Sequence, residues 1–141
     1  MMISTKGRYA IRIMTDVAQN DSEMPVNLRG ITMRQEISEK YLEQIIQALV
    51  KTGLLTSVRG SQGGYHLAVR PEEITIGRIL HATEGDLAPV ECISDLPKRC
   101  NRSGKSPAQR IYRKIYSAIN EVVDHLTLED VLKDADELRG K

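Results

Sequence analysis

Ser38 to Val69, SEKYLEQIIQALVKTGLLTSVRGSQGGYHLAV, is the stretch that most restricts the fold. In its first half Leu42, Ile45, Ile46, Leu49 and Val50 recur at the 3.6-residue period, so they line one face of a helix. Glu39, Lys40, Glu43, Gln44, Gln47 and Lys51 take the other face. Ser38 offers an N-cap, and Gly53 follows as a left-handed residue that ends the helix. Two apolar or β-branched runs come next, around a turn holding Gly60, Gly63 and Gly64. That pattern predicts a β-hairpin with a longer loop.

Upstream, Ala10, Ile13, Met14, Val17 and Ala18 mark one face of a helix capped by Ser4 or Thr5. A turn-rich break, Asn20–Pro25, separates it from a short helix in NLRGITMRQ with Leu28 and Ile31 inward. Three helices and a glycine-turned hairpin, in that order, make a winged helix-turn-helix. Downstream, TIGRILHATEG is a helix capped by Thr75 and closed by Gly85. Pro107 opens a long helix, Ala108–His125, with Ile111, Ile115, Ala118, Ile119, Val122 and Leu126 on a stripe. Thr127 and Asp130 form a capping box for a last helix from Leu128. The expected fold is mainly α with a small β-hairpin wing, plus a long C-terminal dimerisation helix. The expected division is 1–85 for the winged helix-turn-helix, 86–106 for a cysteine-containing loop, and 107–141 for the dimerisation and C-terminal helices.

At 141 residues the chain is one domain, or one domain with an appended helix. It has five Tyr but no Phe or Trp, so Ile, Leu, Val and Met must fill the core. No apolar run approaches the roughly 20 residues of a membrane span. The start, MMISTKGRYA, lacks the apolar segment of a secretory signal. Two cysteines do not make a disulfide framework. The expectation is a cytoplasmic protein without a membrane partner. Net charge is +1, but residues 1–70 carry nine Lys/Arg against six Asp/Glu, while 71–141 carry eleven against thirteen. The positive balance therefore lies with the winged half.

A recognition helix presents its polar N-terminal face to a major groove about 12 Å wide. Ser38, Lys40, Tyr41, Glu43, Gln44 and Gln47 are residue types that read base edges or anchor phosphates. Arg59 stands beside the glycine-rich wing loop, where backbone can approach DNA closely. Taken singly, such a helix is more often an ordinary solvated one; helix order, charge and the wing arginine together favour DNA. An enzyme finds less support, because His66, His81 and His125 lie in separate segments with no metal spacing among them. An interaction module without DNA binding is the other rival, and the stripe of the long helix suits a partner helix. A pseudo-palindromic operator bound by a dimer follows from the few base pairs one helix can read. Ile111, Ile115, Ile119 and Val122 are the dimerisation candidates, against the alternative that this helix folds back on its own domain.

The segments MMISTKGRYAIRIM, ISEKYLEQIIQALVKTGLLTSVRGSQGGYHLA, ITIGRILHATEG and APVECI resemble the Rrf2 family of bacterial regulators, the IscR/CymR/NsrR group. The resemblance spans essentially the whole chain. It implies a homodimeric, sequence-specific DNA-binding transcription factor, usually a repressor, that senses iron–sulfur status, nitric oxide, redox state or cysteine supply. Carried onto matching positions, it implies DNA contacts from Ser38, Lys40, Tyr41, Glu43 and Gln44 on the recognition helix. It implies further contacts from Arg59, Gln62, Gly63 and Gly64 at the wing, and phosphate contacts from Lys6 and Arg8. Some members act through a partner protein.

The same resemblance places three cysteines in the loop when a 2Fe–2S cluster is bound, with a fourth, variable ligand. Here the first two are Cys92 and Cys100; Ser106 stands where the third would fall, and Gln109 where some members have a ligating His. Serine oxygen is a poor substitute for a soft thiolate. Three readings stay open: a cluster completed by ligands from elsewhere, a thiol switch, or inert cysteines in a regulator whose signal arrives through a partner protein. Lys98, Arg99, Arg102 and Lys105 favour thiolate and hence the switch.

Overall fold

The computed structural model describes residues 3–85, 87–89 and 107–140. Cys92, Cys100 and Ser106 lie outside the described residues, as does nearly all of the expected loop 86–106. The elements run α1 (Thr5–Asn20), α2 (Leu28–Gln35), α3 (Glu39–Lys51), β1 (Leu55–Val58), β2 (Gly64–Leu67), α4 (Ile76–Glu84), α5 (Pro107–His125) and α6 (Leu128–Arg139). This is the mainly helical fold with a two-stranded wing that the sequence predicts. A 3-10 turn, Pro71–Glu73, precedes α4 and was not foreseen.

Local chemistry sets the helix ends. The side chains of Ser4, Ser38, Thr75 and Thr127 accept the N–H groups of Gly7, Tyr41, Arg78 and Asp130, satisfying donors that a helix start leaves open. Asn27 does the same for α2, accepting the Gly30 N–H at 2.7 Å. Gly53 takes φ +79° beyond α3, as its place in the sequence predicts. Between α2 and α3 the chain turns at Glu36, whose φ of +54° is uncommon for a residue with a side chain.

The wing is antiparallel, with Leu55 opposite Leu67 and Val58 opposite Gly64. Val26 adds a bridge to Tyr65 of β2, which ties the wing to the chain entering α2. The core joins the inward faces of α1, α2, α3 and α4 with Leu54 and Leu55 from the start of the wing. Ala18 and Val50, placed on inward faces by periodicity, are only half-buried.

The C-terminal helices return to this core. The Ile76 N–H donates to the Leu126 carbonyl and the Leu128 N–H to the Ile74 carbonyl, both at 2.8 Å. Leu128 of α6 is 0% exposed within the same cluster. Gly77 of α4 lies against Asp124 and Val123 of α5, so its missing side chain lets the two helices pack closely.

Candidate nucleic-acid interface

A buried carboxylate holds the helix-turn-helix together. Asp16 is 2% exposed on α1, and Arg34 of α2 grips it through Nε at 3.0 Å and Nη2 at 2.8 Å. Gln35 Nε2 donates to the same carboxylate at 2.8 Å. The hydrogen-bonded Asp16 raises the Arg34 pKa further above its ordinary value, against a smaller opposing effect of burial. Arg12, one turn earlier on α1, donates to the Gln35 side chain at 3.0 Å and to its carbonyl at 2.8 Å. Arg12 also lies over the Tyr9 ring, 4.8 Å from its centroid. Tyr9 in turn meets Tyr41 of α3 edge-on, with centroids 5.8 Å apart and planes at 85°. Two helices thus fix the pitch of the third through its first turn.

The N-cap and first two turns of α3 present Ser38, Lys40, Glu43 and Gln44 as exposed side chains, with Gln47 one turn on. Tyr41 differs from them. It is half-buried and packs on the core, so its ring positions α3, whatever else its hydroxyl touches. Beside this face, Arg59 and Gln62 are exposed at the wing tip. Leu28, Ser57, Val58, Arg59, Gly60 and Tyr65, with Gly63 and Gly64, line a cleft of about 270 Å³ at its base. Burial raises the Tyr65 hydroxyl pKa, and the nearby Glu43 carboxylate adds to the rise, which puts wing and recognition helix within electrostatic reach.

Gly63 and Gly64 also have a structural reason to be glycine. A Cβ at Gly63 would overlap the Val58 carbonyl, and one at Gly64 the Val26 carbonyl. Lys6 is half-buried and Arg8 exposed in the first turns of α1, where Arg8 Nη2 donates to Thr5 Oγ1 at 3.1 Å. Thr5, Arg8, Tyr9 and Arg12 line a shallow cleft of about 230 Å³. Sequence reasoning missed Arg12, although it stands four residues after Arg8 on one helix, the spacing of neighbours on a helix surface. It missed Asp16 as well, because a carboxylate on an apolar face carries no local sign of its partner.

Of the dimerisation candidates, Ile111, Ile115 and Val122 are 58%, 44% and 57% exposed on α5. Ile119 lies on the adjoining face and packs, with Tyr116 and Val123, against the domain's own core. Among the described residues no group of three or more His, Cys, Asp or Glu is placed to hold a metal ion. His66 pairs through Nδ1 with Asp21 Oδ1 at 2.6 Å, which fastens β2 to the end of α1.

Comparison with known proteins agrees with this architecture. The Rrf2 family model, described as an iron-dependent transcriptional regulator, matches residues 3–134. The chain is 41% identical over 132 residues to the HTH-type transcriptional regulator CymR of Bacillus subtilis (strain 168), covering 93% of this chain and 89% of that protein. The solved structure of CymR, the global cysteine regulator of B. subtilis, superposes with a TM-score of 0.78 at 38% identity, covering 94% of this chain and 97% of that one. That of T. potens IscR does so with a TM-score of 0.78 at 42% identity, covering 98% and 90%. These relatives are named as transcriptional regulators or carry regulator names, and none is named as an enzyme. A winged helix-turn-helix with a polar recognition face, matched over nearly its whole length, therefore makes this chain a member of the Rrf2 family of DNA-binding transcriptional regulators.

Proposed function

We propose that the protein is a homodimeric repressor that reads a pseudo-palindromic operator through α3 and the wing, and that the state of Cys92 and Cys100 controls its affinity. The observation that carries the DNA reading is the exposed N-terminal face of α3, with Ser38, Lys40, Glu43 and Gln44 beside a wing bearing Arg59 and Gln62. The hydroxyl, amide and carboxylate groups suit base edges, whereas Lys40, Arg59, Lys6 and Arg8 suit phosphates. The exposed stripe of α5 supports the dimer. Two copies would set half-sites roughly one helical turn, ~34–36 Å, or a multiple apart.

Electrophoretic shift with duplex DNA tests the reading, using Lys40→Ala and Arg59→Ala. Each variant should bind more weakly. If Lys40 contacts only phosphate, its loss weakens all sequences alike and flattens the dependence of log K on log salt by about one unit. Wild-type affinity in both variants would remove this docking mode.

The sensor reading rests on the chemistry of the donors. A 2Fe–2S cluster takes four ligands, soft thiolates above all; one copy of this chain offers two thiols, with Ser106 at the third position and Gln109 buried at the first turn of α5. The donors of one copy do not complete that set, so a cluster here needs ligands from elsewhere, such as the partner subunit. A thiol switch needs no further ligand, only an oxidant, and basic residues close to a thiol favour the reactive thiolate, which suits a segment holding Lys98, Arg99, Arg102 and Lys105. Anaerobic purification, a visible spectrum, iron and sulfide assays, and operator binding before and after oxidation separate the cases. A brown protein that bleaches in air identifies a cluster, and a colourless one with oxidant-sensitive binding identifies a thiol switch. If Cys92→Ala and Cys100→Ala both respond like wild type, the cysteines are inert and the signal reaches the protein through a partner.

A further inference from the structure

In a capping box the N-cap side chain accepts the N3 N–H, while an N3 side chain accepts the N-cap N–H. α6 completes both halves within one turn: Thr127 Oγ1 accepts the Asp130 N–H at 3.2 Å, and Asp130 Oδ2 accepts the Thr127 N–H at 2.9 Å. α1 has one half of its own. Ser4 Oγ accepts the Gly7 N–H at 3.1 Å, but the N3 position is Gly7 itself, and no acid stands in the first turn.

The missing carboxylate comes from α4, 80 residues away along the chain. Glu84, its last residue, accepts the Ser4 N–H at 2.8 Å and the Ser4 hydroxyl at 2.5 Å, both through Oε1. A Cβ on buried Gly7 would overlap this carboxylate, so Glu84 occupies the space that an N3 side chain would use. Its charge also complements the positive end of the helix dipole.

The turn capped in this way carries Lys6 and leads directly into Arg8 and Tyr9, the ring that meets Tyr41 of the recognition helix. We infer that Glu84 is a positioning residue for DNA binding: it locks the basic first turn of α1 in the register from which Lys6 and Arg8 meet the phosphate backbone. The inference rests on the docking mode proposed above.

The probe is a duplex selected by the wild-type protein from a random library, with affinity measured across a salt series. Glu84→Ala should fray the first turn and weaken binding about 3–10-fold. As Lys6 and Arg8 lose their phosphates, the slope of log K on log salt should fall by about one to two units. Glu84→Gln keeps an acceptor without the charge and should give a smaller loss in the same direction, which preserves the test if Glu84→Ala unfolds by circular dichroism. Adding Gly7→Glu to Glu84→Ala moves the carboxylate onto α1, closing the box locally as in α6. Affinity and slope should then return towards wild type. Wild-type affinity and slope in Glu84→Ala overturn the inference, as does weakened binding at an unchanged slope or a loss that Gly7→Glu does not repair. A Lys6→Ala, Arg8→Ala double variant with the wild-type slope would instead overturn the docking mode on which it rests.

Discussion

At Gly64 the backbone of β2 runs so near Val26 that a Cβ would overlap the Val26 carbonyl. Val26 and Tyr65 close on each other here through two N–H···O=C bonds of 2.9 Å. Gly64→Ala should push the wing off this bridge and destabilise the protein by about 1–3 kcal/mol, the usual cost of forcing extra volume into a packed site. Thermal denaturation measures it, and a melting temperature equal to wild type would leave the glycine without a packing role. Gly60→Ala is the comparison, because nothing lies within 4 Å of its Cβ position and only its φ of +109° opposes a side chain. Such residue-scale constraints divide by range. Ser4, Ser38, Thr75 and Thr127 were legible as caps because each cap and the N–H it accepts lie three residues apart. Asn27 obeys the same rule, but Gly30 weakened the helix signal around it. The left-handed Glu36, the Asp16–Arg34 pair and the Glu84–Ser4 bond depend on partners or turns set by the tertiary fold, and no local pattern announces them.

The α5 helix shows the same limit at the scale of an element. At 100° per residue, Ile111, Ile115, Ala118, Val122 and Leu126 share one face, while Tyr116, Ile119 and Val123 share the next. Both faces are apolar, so periodicity alone merges them into one broad stripe; packing on α4 separates them. Ile119 faces the core and the other face stays exposed. The two positions should therefore fail differently. Ile115→Asp should yield a folded monomer by light scattering, since burying one Ile in an interface is worth about 1.5–3 kcal/mol. Ile119→Asp should instead lower the midpoint of urea unfolding. Monomer formation without loss of stability in Ile119→Asp would reverse the assignment of the faces. Charge bears on how two α5 helices would pair in the proposed dimer. Arg110, Arg113 and Lys114 crowd the first half, Glu121 and Asp124 the second, and small Ala118 sits between. An antiparallel pair crossing near Ala118 brings Lys114 opposite Glu121 of its partner. Lys114→Glu should weaken dimerisation and the added Glu121→Lys should restore it, in sedimentation equilibrium at low salt. A parallel pair predicts no rescue.

Over the whole molecule, the recognition helix and the exposed stripe of α5 lie at different parts of one continuous core. The order of helices and hairpin, and so the winged helix-turn-helix, was readable from caps, periods and glycines. The return of α6 was not, because Leu128 looks in sequence like any first apolar residue of a short amphipathic helix. Its side chain is nevertheless 0% exposed, and the bond from its N–H to the Ile74 carbonyl holds α6 beside the chain entering α4. α6 also packs on α1, the helix that carries Lys6, Arg8 and the Asp16 anchor. The division into DNA-binding and dimerisation regions proposed for this chain is thus one of role within a shared core. A dimer built on α5 would then hold two recognition helices at a spacing set by packed elements. Leu128→Ala tests this unity. Emptying a fully buried leucine site costs about 2–5 kcal/mol, against a stability of roughly 5–15 kcal/mol for a domain of ordinary size. Unfolding is followed in a Tyr112→Phe, Tyr116→Phe background, whose remaining tyrosines, Tyr9, Tyr41 and Tyr65, all lie in the winged half; far-ultraviolet circular dichroism and tyrosine fluorescence should shift to lower urea by the same amount in a single transition. If the tyrosine signal keeps its wild-type midpoint while helix content is lost earlier, α6 melts alone and the DNA-binding half does not depend on it.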